Sequence, residues 1–273
     1  LLADIAAYLR CPFCQGDMTL DGAALRCPTG HSFDVAKHGY VSLLPGDAHT
    51  GTADTAAMVA SREEFLESGS YQVIADAVAE AAPARPGCVL DLGAGTGYYL
   101  ARVLDALPDQ YGLALDLSKY AIRRAARAHP RVGAVVADAW QSLPVRDAVA
   151  GVVLSIFAPR NASEIARVLS PDGVLIMVTP TQRHLGELIT TLDMLKVDQR
   201  KSQRLTEKLD PHVICTSERE VEFTMSLSHK AVSSVVAMGP SAWHDRRTER
   251  ISNLPEPVSV TASVSVATYR PRG

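Results

Sequence analysis

The stretch Val89-Leu90-Asp91-Leu92-Gly93-Ala94-Gly95-Thr96-Gly97-Tyr98-Tyr99 constrains the fold of this chain more than any other. A short apolar run carrying one acid meets three glycines at alternate positions, and a helical pattern follows. That order predicts a buried parallel strand, a tight turn and a helix start. Glycine lets the backbone turn sharply and lets a ligand approach without a Cβ in the way. A turn of this kind lies at the carboxyl end of a strand, where open α/β sheets bind ligands. The dinucleotide fingerprint G-x-G-x-x-G needs its third glycine at position 98, which is Tyr98. The spacing here is G-x-G-x-G.

Strand-like and helix-like segments alternate after the turn. Strands are expected over 89–92, 111–116, 132–137, 149–156 and 173–178, with helices over 99–107, 119–128 and 162–169. Such alternation argues a parallel sheet with helices on both faces. The rhythm then changes to a strand over 221–227, a helix over 230–238 and a last strand over 257–269, expected to pair antiparallel with its predecessor. G-x-G-x-G two residues after Asp91 resembles motif I of class I S-adenosylmethionine (SAM) methyltransferases, a Rossmann-like α/β fold with a mostly parallel seven-stranded sheet. The resemblance implies that Gly93, Gly95 and Gly97 run past the amino-acid end of SAM and that Asp91 orients it. Asp116 closes the second strand, where a carboxylate can accept both ribose hydroxyls, and Leu117 would flank the adenine. Asp138 and Ala139 close the third, where family members contact the adenine amino group. Either acid also reads as a helix cap. The loop Ser155-Ile156-Phe157-Ala158-Pro159-Arg160-Asn161 would face the transferred methyl. It lacks the N-P-P-Y pattern of exocyclic-amine enzymes, which favours a ring-nitrogen acceptor in an apolar slot.

Ahead of this domain stand Cys11-Pro12-Phe13-Cys14, Cys27 and His31. C-x2-C-x12-C-x3-H supplies the four ligands that structural Zn²⁺ prefers, with Asp21-Gly22 as a hairpin turn between the half-sites. Reduced core cysteines and a redox CxxC are the competing readings. So short a segment can hardly bury a core without a metal, and a redox motif normally accompanies a βαβ unit. With all four positions filled by protein, the expected zinc is structural. Cys88 and Cys215 are most simply buried residues.

A net charge of −3 argues against a generic nucleic-acid binder and leaves room for local basic clusters. No apolar run is long enough for a membrane span and no signal segment stands out, so a cytoplasmic protein is expected. Residues 46–85 read as a loop and two helices, in which Arg62 is either solvated or a substrate clamp. Residues 179–220 read as an insert whose Arg183, His184, Lys196, Arg200, Lys201, Arg204 and Lys208 serve a solvated helix face or a lid. Trp243, His244, Arg246 and Arg247 form a further patch. Lys37, His38 and Tyr40 are candidates for nucleic-acid contact, although a lone surface histidine is the plainer reading of His38.

The combination of the CPFC…C…H module with FDVAKHGYVSLL, SREEFLESGSYQ, DLGAGTGYY, LDLSKYAI, IFAPR and TPTQRHLGEL resembles the RlmA-type 23S rRNA (guanine-N1)-methyltransferases, which include macrolide-resistance members. The resemblance covers essentially the whole chain. It implies a zinc-binding module over 1–45 with Cys11, Cys14, Cys27 and His31 as ligands, a linker with two helices over 46–85, and a SAM-dependent domain over 86–273. It further implies methyl transfer to N1 of one guanine in a 23S rRNA hairpin near the peptide exit tunnel, by a chain for which a homodimer is allowed. Guanine N1 carries a proton that must leave. His184 and Asp138 are the candidates to take it, and neither identifies itself as the base. Two other readings stand beside this one: a small-molecule methyltransferase, and a non-catalytic zinc-bearing RNA-binding protein.

Overall fold

The computed structural model describes residues 2–46, 48, 50–51, 53–158, 161–194, 209–239 and 247–272. Pro159, Arg160, Lys196, Arg200, Lys201, Arg204, Lys208, Trp243, His244 and Arg246, all singled out from the sequence, lie outside the described residues.

A short helix α1 (Leu2–Ala6) leads into an antiparallel sheet of β1 (Thr19–Asp21), β2 (Ala24–Arg26) and β3 (Ser32–Asp34). Gly22 turns the first hairpin at φ +58°, as the Asp21-Gly22 pair predicts. After β4 (Tyr40–Ser42) come helices α2 (Ala56–Glu67) and α3 (Gln72–Ala81). The alternating part follows as β5 (Cys88–Leu92), α4 (Tyr98–Ala106), β6 (Gly112–Asp116), α5 (Lys119–Ala125), β7 (Val132–Val136), β8 (Ala150–Ile156), α6 (Ala162–Val168) and β9 (Leu169–Pro180). The chain ends with α7 (Gly186–Leu192), β10 (Val213–Leu227), α8 (His229–Ala237), α9 (Arg247–Ser252) and β11 (Val258–Pro271).

The main sheet has the order β10-β11-β9-β8-β5-β6-β7-β4. β5 pairs in parallel with β6 on one side and β8 on the other, so the order reverses there and opens a crevice at the carboxyl ends. β11 enters antiparallel between β9 and β10, as expected of the last strand. β10 starts at Val213, so the end of the stretch expected as an insert belongs to the sheet.

The seven expected strands are joined by an eighth. β4 pairs in parallel with β7, Val41 opposite Val135, and covers what would be an open sheet edge. Three residues are too few for a periodicity signal, and only the tertiary fold brings them to that edge. The N-terminal segment is therefore no bead on a string. Ile5, Leu9, Met18, Leu25 and Val41 share one buried cluster with Leu90, Leu113 and Val135 of the central strands. Side chains alternating with these, such as Val89, Ala114 and Val136, face the second cluster with α3, α4 and α8.

Gly133 shows how closely α1 is seated, because a Cβ there would lie 2.2 Å from Ile5 Cγ1. Gly133→Val should lower stability by about 2–3 kcal/mol, since overpacking forces helix and strand apart. Urea denaturation of the two proteins measures it, and a loss under about 0.5 kcal/mol would show that α1 yields freely. No described helix is long and apolar enough to cross a membrane.

Candidate active site and metal centre

Two tight turns build the metal centre. Cys11 N–H donates to Gly16 O (2.8 Å) and Gln15 N–H to Cys11 O (2.9 Å), folding the first pair back on itself. Cys27 N–H to His31 O (3.1 Å) and Gly30 N–H to Cys27 O (3.0 Å) do the same for the second. The ligand atoms of Cys11, Cys14, Cys27 and His31 all lie within 4.8 Å of one another. His31 presents Nδ1, 3.5 Å from Cys11 Sγ and 3.3 Å from Cys27 Sγ, and Cys14 Sγ is 3.5 Å from Cys27 Sγ. Zinc–sulfur bonds of about 2.3 Å imply tetrahedron edges of about 3.8 Å, so this donor set fits one Zn²⁺ with little adjustment. Burial works against ionising Cys27, yet hydrogen bonds from Thr29, Cys14 and His31 pull its thiol down to about 6. Thr29 Oγ1 donates to Cys14 Sγ (3.0 Å) and stands 3.1 Å from Cys27 Sγ, so the hydroxyl sits beside both sulfurs of the site.

The crevice at the strand reversal holds a cavity of about 760 Å³, walled by the carboxyl ends of β5, β6, β7 and β8. Asp91, Gly93, Gly95, Asp116, Leu117, Asp138 and Ala139 all line it, and Gly97 does not. Gly97 begins α4 at φ +81°, and a Cβ there would come 3.0 Å from Ala125 Cα and from Ala128 Cβ. Its glycine serves packing between α4 and the end of α5. Gly95 has φ +55° and lies under the Arg62 side chain, whose Cδ and Nη1 are each 3.5 Å from the position of a Cβ.

The acids differ in their environment. Asp116 Oδ2 accepts the Gly95 N–H (2.9 Å) and Oδ1 the Ser118 N–H (2.8 Å), so the carboxylate ties the glycine turn to the end of β6. Burial still raises its pKa. Asp91 is more extreme: burial, reinforced by the charge of Asp116, pushes it up to about 8. Such an acid is poised for a cation. Tyr99 adds a buried hydroxyl with no partner among the described residues, on a side chain that lines the cavity. Arg62 is the one arginine or lysine among the described lining residues. It donates to Asp54 and, through Nη2, to Met238 O (3.0 Å), leaving guanidinium donors for a ligand. Ser118 Oγ donates to Asp54 O (2.7 Å), so the linker is strapped over the mouth.

An aromatic wall faces the acids. Phe157, at φ +53° after β8, is 41% exposed, with ring centroids 6.2 Å from Tyr71 and 5.7 Å from His184. Trp140 lines the cavity too and is 55% exposed. His184 Nδ1 accepts the Ser263 N–H (3.2 Å), and its Nε2 is 3.0 Å from Tyr71 Oη. Burial lowers the His184 pKa to about 4, so the ring is neutral and its one proton sits on Nε2, donated to Tyr71. No lone pair is left to take a substrate proton. The sequence-level candidacy of His184 as a base therefore gives way to a role in positioning Tyr71. Asp138 Oδ1 accepts the Trp140 N–H (2.9 Å) and fixes the loop that carries the indole.

Sequence reasoning did not find Tyr71, Tyr99, Trp140 or Met238 as lining residues. They sit on separate helices and loops without a shared motif, and only the fold assembles them. An aromatic residue just past a strand end is the one local signal that could have found Trp140.

Residues 9–50 match the zinc-ribbon family model described as RlmA, N-terminal, and residues 89–173 match the methyltransferase domain. A protein of Micromonospora griseorubida with the provisional name 23S rRNA (guanine-N1)-methyltransferase is 48% identical, covering 98% of this chain and 99% of its own. The 23S rRNA (guanine(748)-N1)-methyltransferase of Streptomyces fradiae is 46% identical, covering 98% of each. Among solved structures, the YcgJ protein from Bacillus subtilis superposes at TM-score 0.52 with 15% identity, covering 73% of this chain and 98% of that one, a likeness of fold.

Proposed function

The chain belongs to the RlmA-type 23S rRNA (guanine-N1)-methyltransferases, and from that premise we propose that it transfers a methyl group from SAM to N1 of one guanine in a 23S rRNA hairpin near the peptide exit tunnel. One observation carries the reading: a single cavity joins the buried acids at the ends of β5 and β6 to an exposed aromatic wall at the ends of β7 and β8. Bound there, SAM supplies a methyl made electrophilic by its sulfonium. Asp91 would hold the ammonium and Arg62 the carboxylate, Asp116 would accept the ribose hydroxyls, and Leu117, Asp138 and Ala139 would border the adenine. Ile156 and Phe157, backed by Tyr71, shape an apolar slot that holds the flipped guanine in line with the methyl and excludes water. Because His184 has no lone pair to offer, the N1 proton leaves to water or to Asp138. In this reading residues 1–45 take part in choosing the substrate, residues 46–85 link and cover the site, and residues 86–273 with the stretch 179–220 carry out transfer in the cytoplasm. Macrolide resistance in a host carrying the gene, and a homodimer by light scattering, are testable extensions.

Tritiated SAM with a 23S rRNA transcript tests the reaction. Label in RNA and a primer-extension stop at one guanine are expected, because an N1-methyl blocks the pairing edge. Label only in small acceptors would overturn the reading.

Asp91 makes a separate pH prediction. Its folded pKa of about 8 lies above the unfolded value, so its contribution to stability is full below about pH 4 and is lost as pH rises towards 8. Asp91→Asn should thus stabilise the ligand-free protein at pH 8 while weakening SAM binding at least about 30-fold, roughly 2 kcal/mol. In the wild type an arriving ammonium pulls the carboxyl into its charged form, releasing about one proton per SAM at pH 6.5. Calorimetry in buffers of different ionisation enthalpy reads that number, and zero release would remove Asp91 from contact with the ammonium.

A further inference from the structure

We propose that a basic strip along α5 and the β3–β4 turn is the surface that holds the phosphate backbone of the RNA substrate. From Leu117 to Ala137 the chain has five arginines and lysines and no acid, within a protein whose net charge is −3. Two of the five are used internally. Arg131 turns inward onto the carbonyls of Leu104, Leu107 and Gln110, and Arg124 pairs with Glu63. The other three, Lys119, Arg123 and Arg127, are exposed and have no carboxylate in ion-pair range among the described residues.

Their spacing is i, i+4, i+8, which at 1.5 Å per residue sets successive cations about 6 Å apart along one face of α5 and the turn that follows it. The strip starts at the site: Lys119 follows Leu117 and Ser118, of which Leu117 lines the cavity. It runs back along the sheet to the N-terminal module. β4 lies against β7 and α5 packs on β6 and β7, which brings the Lys37-His38 turn to the far end of the strip. The proximity shows in His38, whose protonation is disfavoured by burial and then by Arg123, Arg127 and Lys37. Tyr120 is 43% exposed beside Lys119 and offers a ring for a base. Cations in a last helical turn suit the helix dipole, which accounts for Arg123. It does not account for Lys119 in the first turn, where a cation is disfavoured, or for Lys37 on another element. A row of like charges held against its own repulsion and ending at the cavity fits a polyanion that must enter the cavity. Here that polyanion is RNA.

The inference rests on the rRNA reading above, and its test separates the two. Arg123→Ala/Arg127→Ala is compared with wild type for binding and methylation of a 23S rRNA transcript. Arg270→Ala serves as the control, an exposed cation near the opposite edge of the sheet. The double variant should bind the transcript about tenfold more weakly near physiological salt. Its slope of log affinity against log salt should flatten by roughly 1.4–1.8, the loss of two phosphate contacts. KM for RNA should rise with kcat nearly unchanged, and SAM affinity and one zinc per chain should be retained. Arg123→Lys/Arg127→Lys should recover most of the affinity, because charge rather than fork geometry is at work. Unchanged affinity and slope in the double alanine variant, or an equal loss in Arg270→Ala, would overturn the strip. A wild type that methylates no 23S rRNA would instead overturn the reading on which it rests.

Discussion

Gly95→Arg is expected to weaken SAM binding by at least about 100-fold, or roughly 2.7 kcal/mol, while the protein keeps one zinc per chain and melts only a few degrees lower. Three features of the site compound. Residue 95 has φ +55°, a conformation that costs an L side chain roughly 1 kcal/mol. Any side chain there points at Arg62, whose Cδ and Nη1 are 3.5 Å from the position of the Cβ, so a second guanidinium meets a first in a partly desolvated space. Gly95 lines the cavity, so the new side chain also takes up space a ligand would need. Gly95→Ala separates these effects. A contact of 3.5 Å is ordinary packing, so alanine should cost little beyond backbone strain, about tenfold or less in affinity. Titration calorimetry with SAM, beside zinc analysis and thermal melts, makes the comparison. Binding of SAM to the arginine variant within tenfold of wild type would show that the glycine turn is not the cofactor's cradle.

Loss of the metal should have the second large effect, and it should spread beyond the module. Cys14→Ala is expected to abolish zinc retention and to lower stability by on the order of 4 kcal/mol or more, since the binding free energy of a structural zinc is folding free energy. From the sequence, a module over 1–45 would melt by itself and leave the rest intact. The packing predicts otherwise. Ile5, Leu9, Met18 and Leu25 belong to the cluster that contains Leu90, Leu113 and Val135, and β4 is the strand that closes the sheet edge. Hydrogen exchange should therefore show protection lost in α1 and β1–β4 and weakened in β7, with β8, β9 and β11 little changed. Methylation of 23S rRNA should fall with it. Unfolding of the metal-free variant that matches the wild type would mean that the four ligands hold nothing essential to the fold.

Much of the site was legible because its signals are local. Asp91, Gly93, Gly95, Asp116, Leu117, Asp138 and Ala139 each sit at the end of a strand, and strand ends can be read from apolar runs that stop at glycine or an acid. The zinc ligands are legible for the same reason, since C-x2-C and C-x3-H close tight turns within a few residues. Gly97 was the exception. Alternate glycines look equivalent in a sequence, but the third one packs between α4 and the residues after α5.

The sequence by itself determined the doubly wound sheet, the cavity's acids and glycines, and the metal-binding turns, because each depends on periodicity and spacing over fewer than about ten residues. The tertiary structure decided what joins distant segments. It set β4 against β7, seated α1 against Gly133, and closed Arg62 over Gly95 with Asp54 and the Met238 carbonyl. It also removed His184 from the list of bases. Nothing in Thr181-Gln182-Arg183-His184 tells that one ring nitrogen will meet the Ser263 N–H and the other the Tyr71 hydroxyl. A protonation state depends on which partners arrive from elsewhere in the chain, and the Ser263 N–H reaches His184 only when a turn and a strand 79 residues apart in sequence come together.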